Sequence, residues 1–455
     1  MNEPRRDRVT RSRRPRTPAG TLTAAGQRSL RENNLRLVFS RIAAAAPETP
    51  PSRADVADQT GLTKATVSSL VSTLIDSGMV TELPPAPTLQ AGRPAIPLAI
   101  ASGTMAGLGL EINVDFLGVR AVDLTGEIID EAFEQVDLRQ SEPETAFAAV
   151  ACLAYHLIAR LLDRDVRVLD ACLALPGIAD HPGGPLRLAP NLGWRDVDVR
   201  GQMAQACRRL AETGGVGAGD PVLDQTVADH TIAGARPEVT DLMTAVLVER
   251  LRVGNEANLA ARTQLGRHRD ESFIYVSGQT GIGAAIVVDG QVFRGSHGWA
   301  GEIGHIVIDP DGPTCACGAS GCLETYAGKR SMLANANLDP HCSIADLLDA
   351  WNRDQPAARS AVEQAAEALG IALANCINLV DVARIVLGGT FAPLRRVLAE
   401  ELSSQITTRV LSLRWMTAEL EITASNAGPF ASATGAALAV LDHAVADPRS
   451  PLWQR

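Results

Sequence analysis

The sequence predicts an α/β protein with two lobes, preceded by a small helical domain that ends in a two-stranded wing. Three observations support this fold class. A chain of 455 residues, of which 46% are hydrophobic, is long enough for about three domain-sized units. Before residue 78 the apolar residues recur at helical spacing. After residue 104 the chain repeats strand-like and helical segments in two successive sets.

Charge is distributed unevenly along the chain, whose net charge is -10. Residues 1 to 100 contain 14 Lys and Arg against 8 Asp and Glu, while the remaining 355 residues contain 28 against 44. A basic end can neutralise the phosphates of DNA, whereas the acidic remainder would be repelled by them. A basic tail that only keeps the chain in solution would produce the same counts.

The first 25 residues are predicted to be a disordered basic arm. Residues 1 to 20 hold seven arginines and three prolines with almost no apolar side chain, so they cannot bury enough surface to offset the entropy of ordering. A first helix is predicted over 29–45, because its apolar residues share one face and prolines follow it. The apolar residues on this face are Leu35, Val38, Phe39 and Ile42.

Residues 52–78 predict a helix-turn-helix. Ser52 can cap a short helix, Gly61 can form the turn, and Thr63 can cap a second helix with a continuous apolar stripe. The outward face of the second helix is small and polar, which suits contact with base edges and phosphates in a major groove. The predicted DNA contacts there are Thr63, Lys64, Ala65, Thr66, Ser68, Ser69 and Thr73. A helical hairpin without a DNA role would show the same spacing.

A wing is predicted after Gly78, as two short strands around a proline-rich loop. The loop contains Arg93 between Gly92 and Pro94, where an arginine can enter a minor groove. We therefore divide the chain into the arm at 1–25, a winged helix-turn-helix domain at 26–100 and an effector domain at 101–455.

The effector domain is predicted to contain two lobes. The first has strands at 105–112, 117–124, 128–136, 169–175 and 245–253, with helices near 144–162 and 256–265. The second has strands at 273–276, 284–288, 291–293, 384–388 and 419–424, with helices near 357–380 and 392–409 and a final helix. No window approaches the roughly 18 to 20 consecutive apolar residues of a membrane span, so we expect a cytoplasmic protein without a membrane partner.

The eight cysteines fall into two groups. Five are isolated and are predicted to be small core residues, namely Cys152, Cys172, Cys207, Cys342 and Cys376. The other three, with one histidine, complete a tetrahedral set for zinc within residues 305–322, with Gly318 and Gly321 allowing the backbone to fold around the ion. The predicted ligands are His305, Cys315, Cys317 and Cys322. Four protein ligands leave no open position, so the zinc is expected to be structural.

The sequence resembles the ROK family of bacterial sugar kinases and sugar-responsive repressors. The resemblance is carried by the glycine-containing run 278–283, the Gly-Glu-x-Gly-His turn at 301–305 and the cysteine loop at 315–324. It implies an actin-like, hexokinase-like ATPase fold with a sugar held in the cleft between the lobes. The sugar contacts that it implies are Asn255, Glu256, Glu302, His305 and Glu324, and Pro176, Gly177 and Asn191 resemble further cleft loops.

Two departures from the family's kinases predict that the chain is not an enzyme. The kinases have a glycine-containing first phosphate loop, whereas residues 113–116 here lack glycine and include Asp115, which would repel phosphates. The catalytic aspartate of the kinases is replaced by Glu256. One extra methylene moves the carboxylate by about 1 Å, which costs on the order of a hundredfold in a positioned proton transfer.

The resemblance therefore predicts a transcription regulator, most readily a repressor of sugar uptake or catabolism genes, which binds operator DNA and a monosaccharide or derivative. One recognition helix reads a half-site, so a homodimer or homotetramer is expected. Two alternatives remain open. One is an active ATP-dependent sugar kinase with an appended DNA-binding domain, and the other is a zinc-responsive regulator. The identity of the sugar and the direction of its effect are open as well.

Overall fold

The computed structural model describes residues 27–46, 48–85, 95–139, 141–180, 184–213, 234–265, 272–279, 281–416, 419–446 and 451–453. The predicted basic arm at 1–25 and Arg93 lie outside these residues.

The helix-turn-helix and its two wing strands form as predicted. Ser52 begins the second helix with a capping box to Asp55, Gly61 ends it with a φ of 71°, and the Thr63 side chain accepts a hydrogen bond from the Thr66 amide at the start of the third. The two strands pair antiparallel. The elements are α1 (Gln27–Ala43), α2 (Arg53–Thr60), α3 (Lys64–Asp76), β1 (Val80–Glu82) and β2 (Leu98–Ile100).

The first lobe is built on a mixed five-stranded sheet in the order β10-β6-β3-β4-β5. Strands β3, β4 and β5 form an antiparallel meander, and β6 and β10 add to it in parallel. The elements up to β6 are β3 (Met105–Ile112), β4 (Phe116–Asp123), β5 (Ile128–Gln135), α4 (Pro143–Asp163) and β6 (Arg167–Leu175). Those after it are β7 (Ile178–Ala179), β8 (Leu186–Ala189), β9 (Trp194–Val197), α5 (Val199–Thr213), α6 (Pro237–Met243), β10 (Arg252–Asn255), α7 (Glu256–Ala260) and α8 (Arg262–Leu265).

The second lobe repeats the arrangement with the order β13-β12-β11-β14-β15. Its elements up to α11 are β11 (Phe273–Gly278), β12 (Ile282–Val288), β13 (Gln291–Val292), α9 (Glu324–Ala327), α10 (Lys329–Asn335) and α11 (Ile344–Asn352). The remaining elements are α12 (Pro356–Val380), β14 (Arg384–Gly389), α13 (Phe391–Arg409), α14 (Leu411–Trp415), β15 (Glu421–Ala424) and α15 (Ala431–Ala446). The two-lobed α/β fold predicted from the sequence is confirmed.

The predicted strand at 245–253 is wrong over most of its length. Residues Thr244–Glu249 form a π-helix that continues α6, and strand pairing begins only at Arg252. Burial explains the difference, because Met243, Val246 and Leu247 are buried at helical spacing. Packing of this face overrides the strand preference of the β-branched residues in the segment.

Helix α4 is long and apolar enough to cross a membrane, although the sequence contains no uninterrupted apolar run of that length. Among the helices of the described residues it is the one with this length and composition, and 67% of its most apolar stretch is buried within the protein. Phe147 and Leu157 belong to the core of the first lobe. The helix is therefore a core helix of this lobe.

The helix-turn-helix and the first lobe share one hydrophobic core. A single buried cluster includes Val38, Leu74 and Leu98 from the N-terminal part together with Met105 and Val440. Helix α15 lies at the centre of this junction. Two glycines of β3 let it approach, since a Cβ on Gly109 would lie 1.8 Å from the Ala433 carbonyl oxygen.

Hydrogen bonds and one aromatic pair also join the two parts. Arg36 Nη1 donates to the Ala446 carbonyl at 3.0 Å, at the end of α15. The Phe39 and Trp453 rings meet edge to face with centroids 5.8 Å apart. The end of α15 therefore contacts α1 directly.

Candidate functional site

A cavity of about 300 Å³ lies between the lobes and brings together all five side chains predicted to contact a sugar. We call it the cleft cavity. The first lobe contributes Pro176, Gly177, Asn191, Asn255 and Glu256, and the second contributes Gly281, Glu302, His305 and Glu324. Asn191 and the Pro176-Gly177 loop thus lie where the family resemblance implies.

Asn255 is held mainly by the backbone. Its Oδ1 accepts hydrogen bonds from the amides of Ala257 and Asn258 at 2.9 and 3.2 Å, which begins α7, and its Nδ2 donates to the Gly177 carbonyl at 3.0 Å. An asparagine amide has two N–H groups, so only one remains for a ligand. Asn255 therefore joins the start of α7 to the Gly177 loop as well as lining the cavity.

Glu256 follows at the first position of α7 and is fixed by a residue that sequence reasoning did not select. Asn113 Nδ2 donates to Glu256 Oε2 at 2.8 Å, and Asn113 is buried. Burial raises the pKa of Glu256 to about 8, with a further contribution from the nearby carboxylates of Glu111, Glu302 and Glu324. The carboxyl is therefore largely protonated near neutral pH and can donate as well as accept hydrogen bonds.

A fully buried carboxyl, Glu111, lies beneath this network. Its Oε2 accepts a hydrogen bond from the Ala433 amide at 3.0 Å, close to the beginning of α15. Burial raises the pKa of Glu111 to about 7, against the lowering effect of that amide. The first turn of α15 is thus bonded to a carboxyl two residues from Asn113.

Glu302 and Glu324 face the same cavity from the second lobe. Burial raises the pKa of Glu302, and the nearby carboxylate of Glu324 adds to the rise. Glu324 Oε2 accepts a hydrogen bond from the Ile282 amide at 3.0 Å. A Cβ at Gly281 would lie 2.3 Å from that same carboxylate oxygen, so the glycine is needed for this contact.

The turn at 113–116 is closed by its own hydrogen bonds. The Asn113 amide donates to the Phe116 carbonyl at 2.9 Å, and the Val114 amide donates to Asn113 Oδ1 at 2.7 Å. These two amides are not free to cradle a phosphate. Asp115 forms an ion pair with Arg139, which also pairs with Asp137, so one guanidinium faces two carboxylates and the group keeps a net negative charge.

The four predicted metal ligands converge on one point. Their ligand atoms all lie within 4.8 Å of one another, with His305 Nδ1 3.8 Å from Cys315 Sγ and Cys317 Sγ 3.7 Å from Cys322 Sγ. Zinc–sulfur bonds of about 2.3 Å place two thiolates of a tetrahedral site about 3.8 Å apart, so these spacings fit such a site. The cluster could hold a metal ion.

Backbone geometry of the loop agrees with this arrangement. Gly318 and Gly321 have φ angles of 95° and 69°, as the turns around an ion require. Because His305 Nδ1 faces the cysteines, Nε2 is the nitrogen left for the cleft cavity. Four of the five isolated cysteines are buried as predicted, whereas Cys342 is only half-buried at the edge of the second core.

The outward face of α3 is available for a partner. Lys64, Ala65, Ser68 and Ser69 are exposed, as is Ser72, which sequence reasoning omitted. The hydroxyls of Thr63, Thr66 and Thr73 already form hydrogen bonds within this segment. The Thr63 and Thr66 hydroxyls bond each other at 2.8 Å, and the Thr73 hydroxyl donates to the Ser69 carbonyl at 3.1 Å. The serines and Lys64 therefore offer the freest polar groups on this face.

Comparisons with known proteins agree with this architecture. The ROK family model matches residues 224–443, and the IclR helix-turn-helix domain matches residues 41–84. The xylose repressor of Bacillus subtilis is 26% identical over 420 residues, which cover 92% of this chain and 97% of that protein. The DNA-binding transcriptional dual regulator NagC of Escherichia coli is 26% identical over 378 residues, covering 80% of this chain and 82% of that protein.

Solved structures show the same fold. A ROK family transcriptional regulator, described as a homolog of the E. coli MLC protein, superposes with a TM-score of 0.65 at 21% identity, covering 90% of this chain and 96% of that one. A ROK family glucokinase from Streptomyces griseus, in complex with glucose and AMPPNP, gives 0.56 at 20% identity over 73% of this chain and 98% of that one. The chain therefore contains an IclR-type helix-turn-helix ahead of a ROK family domain.

Proposed function

We propose that the protein is a sequence-specific DNA-binding repressor whose kinase-like domain binds a sugar and thereby changes its affinity for operator DNA. The observation that carries this proposal is the shared core between the helix-turn-helix and the lobe that holds Asn255 and Glu256. The names of the relatives, a xylose repressor and NagC, support the same function.

DNA recognition is assigned to the outward face of α3. We propose contacts through Thr63, Lys64, Ala65, Thr66, Ser68, Ser69 and Thr73, with Arg93 of the wing and the basic arm adding minor-groove or phosphate contacts. Two copies are needed to read a two-fold operator, so we propose a homodimer or a higher symmetric assembly.

Sugar recognition is assigned to the cleft cavity. Carboxyl and amide groups of Asn255, Glu256, Glu302 and Glu324, together with His305 Nε2, supply donors and acceptors for vicinal hydroxyls. We propose that the four-residue cluster holds a structural zinc, which would fix the ring of His305 at the wall of this cavity. A sugar that contacts both lobes favours their closed arrangement, which is how it would act on the helix-turn-helix.

Phosphate transfer is not part of this proposal. Glu256 in place of an aspartate, the buried Glu111 and the hydrogen-bonded turn at 113–116 all argue against a nucleotide-phosphate site. A coupled assay of ATP turnover across common hexoses and pentoses is expected to give no sugar-dependent rate. Robust turnover would favour the kinase alternative.

The DNA function is tested by selecting binding sequences from a random duplex pool with the full chain. Affinity for the selected duplex is then measured by fluorescence anisotropy, with and without a panel of sugars. Ser69→Glu adds a negative charge facing DNA phosphates and is expected to lower the affinity by about tenfold or more. Ser404→Glu on α13, also exposed, is the matched control and should leave affinity unchanged. Failure to select any sequence, or no effect of every sugar on the affinity, would contradict the proposal.

A further inference from the structure

We propose that Asn113 is a switch between two carboxyl groups, one at the cleft cavity and one at the beginning of α15. In the absence of sugar the Asn113 amide bonds Glu256, and when a sugar binds Glu256 the amide bonds Glu111 instead. The inference rests on the proposed sugar-binding function. It names the residues through which a sugar acts on the helix-turn-helix.

One face of β3 leads from the helix-turn-helix to the cleft cavity, because alternate residues of a strand point to the same side. Met105 belongs to the core shared with the helix-turn-helix. Gly107 and Gly109 lie against α15, where a Cβ would come within 2.7 and 1.8 Å of carbonyl oxygens of that helix. Glu111 continues this row, and Asn113 follows in the turn after the strand. The row therefore contacts α15 along its length and ends at the cavity.

Glu111 holds the first turn of α15. It is fully buried, and its Oε2 accepts a hydrogen bond from the Ala433 amide at 3.0 Å. A carboxylate is favoured at this place, because the first amides of a helix lack partners within the helix and lie at its positive end. None of the described residues gives a hydrogen bond to Glu111 Oε1. A donor that reached this oxygen would stabilise the ionised carboxyl and strengthen its bond to α15.

The Asn113 amide lies between the two carboxyls. It is buried, and its Nδ2 donates to Glu256 Oε2 at 2.8 Å. Burial raises the pKa of Glu111, whereas the Asn113 side chain lies close enough to lower it. A sugar hydroxyl that donates to Glu256 competes with the Asn113 amide. A buried amide without an acceptor is costly, so the displaced amide turns to Glu111 Oε1.

The two positions of Asn113 give the beginning of α15 two states. In one state Glu111 bonds α15 alone, and in the other it is supported by Asn113. The far end of α15 contacts the helix-turn-helix, where Arg36 donates to the Ala446 carbonyl at 3.0 Å. A sugar that favours the second state therefore shifts the population of α15 and, with it, the placement of α1.

Glu111→Gln separates the two positions of Asn113. The glutamine oxygen still accepts from the Ala433 amide, while its NH2 group stands in place of Oε1 and cannot accept from Asn113. The measurement is fluorescence anisotropy of the full chain on the selected duplex, at zero and saturating xylose, glucose or N-acetylglucosamine. We expect this variant to bind sugar and duplex within about threefold of wild type, but the factor by which sugar changes DNA affinity should fall close to one.

Two further variants complete the test. Asn113→Leu removes the donor from both carboxyls and should also bring the factor close to one. Glu134→Gln is the matched control, because it makes the same substitution on β5, where the carboxyl lies near Cys152 of α4 on the other face of the sheet. It should preserve the factor. Titration calorimetry of the sugar with and without duplex must give the same factor for each protein.

The outcomes distinguish the switch from the function beneath it. A sugar that changes DNA affinity by the full factor in Glu111→Gln or in Asn113→Leu would overturn the switch while supporting a sugar effector. Loss of sugar binding in Glu111→Gln would also overturn it, because Glu111 would then serve the cavity itself. If none of the three sugars binds the wild-type chain, the proposed function and this inference both fail.

Discussion

Among the residues that line the cleft cavity, Glu256 has the environment that differs most from that of an exposed glutamate. Its carboxyl lies near the carboxyls of Glu111, Glu302 and Glu324, and burial with this like charge raises its pKa to about 8. Between pH 4.5 and 8 the folded chain keeps a proton that the unfolded chain releases. The free energy of unfolding therefore falls as pH rises through this range.

Glu256→Gln removes this dependence, because glutamine does not ionise. We expect the variant to be more stable than the parent at pH 8, by about 1 to 2 kcal/mol once solvent access to this half-buried group is considered, and to gain little at pH 5. Thermal unfolding at the two pH values measures the difference. Glu249→Gln, an exposed glutamate outside the cavity, should change stability equally at both. Equal effects of Glu256→Gln at both pH values would contradict the assignment.

The metal cluster gives a second prediction at the residue scale. Wild-type protein should contain one zinc per chain by elemental analysis, and Cys317→Ser should lose it, since three ligands bind a structural zinc less tightly than four. We expect the midpoint of thermal unfolding to fall by about 5 °C, as loss of a few kcal/mol produces in a protein of this size. Cys342→Ser is the control outside the cluster. Full zinc content in the Cys317→Ser protein would exclude this ligand set.

The metal ligands could be identified from sequence, whereas the residues that position Glu256 could not. His305 and the three cysteines are rare residue types within 18 positions, so their spacing alone indicates a metal. Asn113 and Glu111 lie more than 140 residues from Glu256, and they come together only because the turn after β3 contacts α7 and β3 itself contacts α15. Their one sequence signal is that Glu111 stands in an otherwise apolar strand and that Asn113 follows directly after it.

At the scale of elements, long periodic segments were predicted within a few residues. Helix α12 was expected at 357–380 and spans Pro356–Val380, and β3 was expected and found at 105–112. The sequence prediction omitted the small sheet of β7, β8 and β9 and the helix α5. Strands of two to four residues carry too few alternations to be recognised, and their formation depends on contacts with the rest of the lobe.

Helix α15 connects elements that border the cleft cavity with the helix-turn-helix, and its glycine provides a test. A Cβ at Gly435 would lie 1.7 Å from the Leu259 carbonyl oxygen of α7. Gly435→Ala is therefore expected to push α7 and α15 apart, to lower the free energy of unfolding by about 2 kcal/mol and to weaken sugar binding, because α7 begins with Glu256. Urea unfolding and titration calorimetry measure the two effects.

The control for this substitution lies on the same helix. Ala439→Ser adds one hydroxyl at a half-buried position and should alter neither measurement appreciably. If Gly435→Ala changed stability but left sugar affinity untouched, α15 would support the fold without communicating with the cavity.

For the whole molecule, the proposed function requires that the cavity and the DNA-binding face influence each other. The contact between Phe39 and Trp453 joins α1 to the segment that follows α15. We expect Trp453→Ala to retain both sugar and DNA binding but to reduce, by about threefold or more, the factor by which saturating sugar changes DNA affinity. Anisotropy titrations at zero and saturating sugar measure this factor. Trp415→Ala, which removes a tryptophan that is 77% exposed on α14, should leave it unchanged. An undiminished factor in the Trp453→Ala protein would exclude this route.

The common core of Leu74, Leu98, Met105 and Val440 also limits how such a regulator can be rebuilt. A chimera could join the helix-turn-helix domain of a relative to residues 101–455 of this chain. Such a chimera would bring two unrelated apolar surfaces into contact. The isolated helix-turn-helix domain would expose its apolar surface to water and would aggregate. A change of operator preference is therefore achieved more safely by substitutions on the outer side of α3 than by exchange of the whole N-terminal segment.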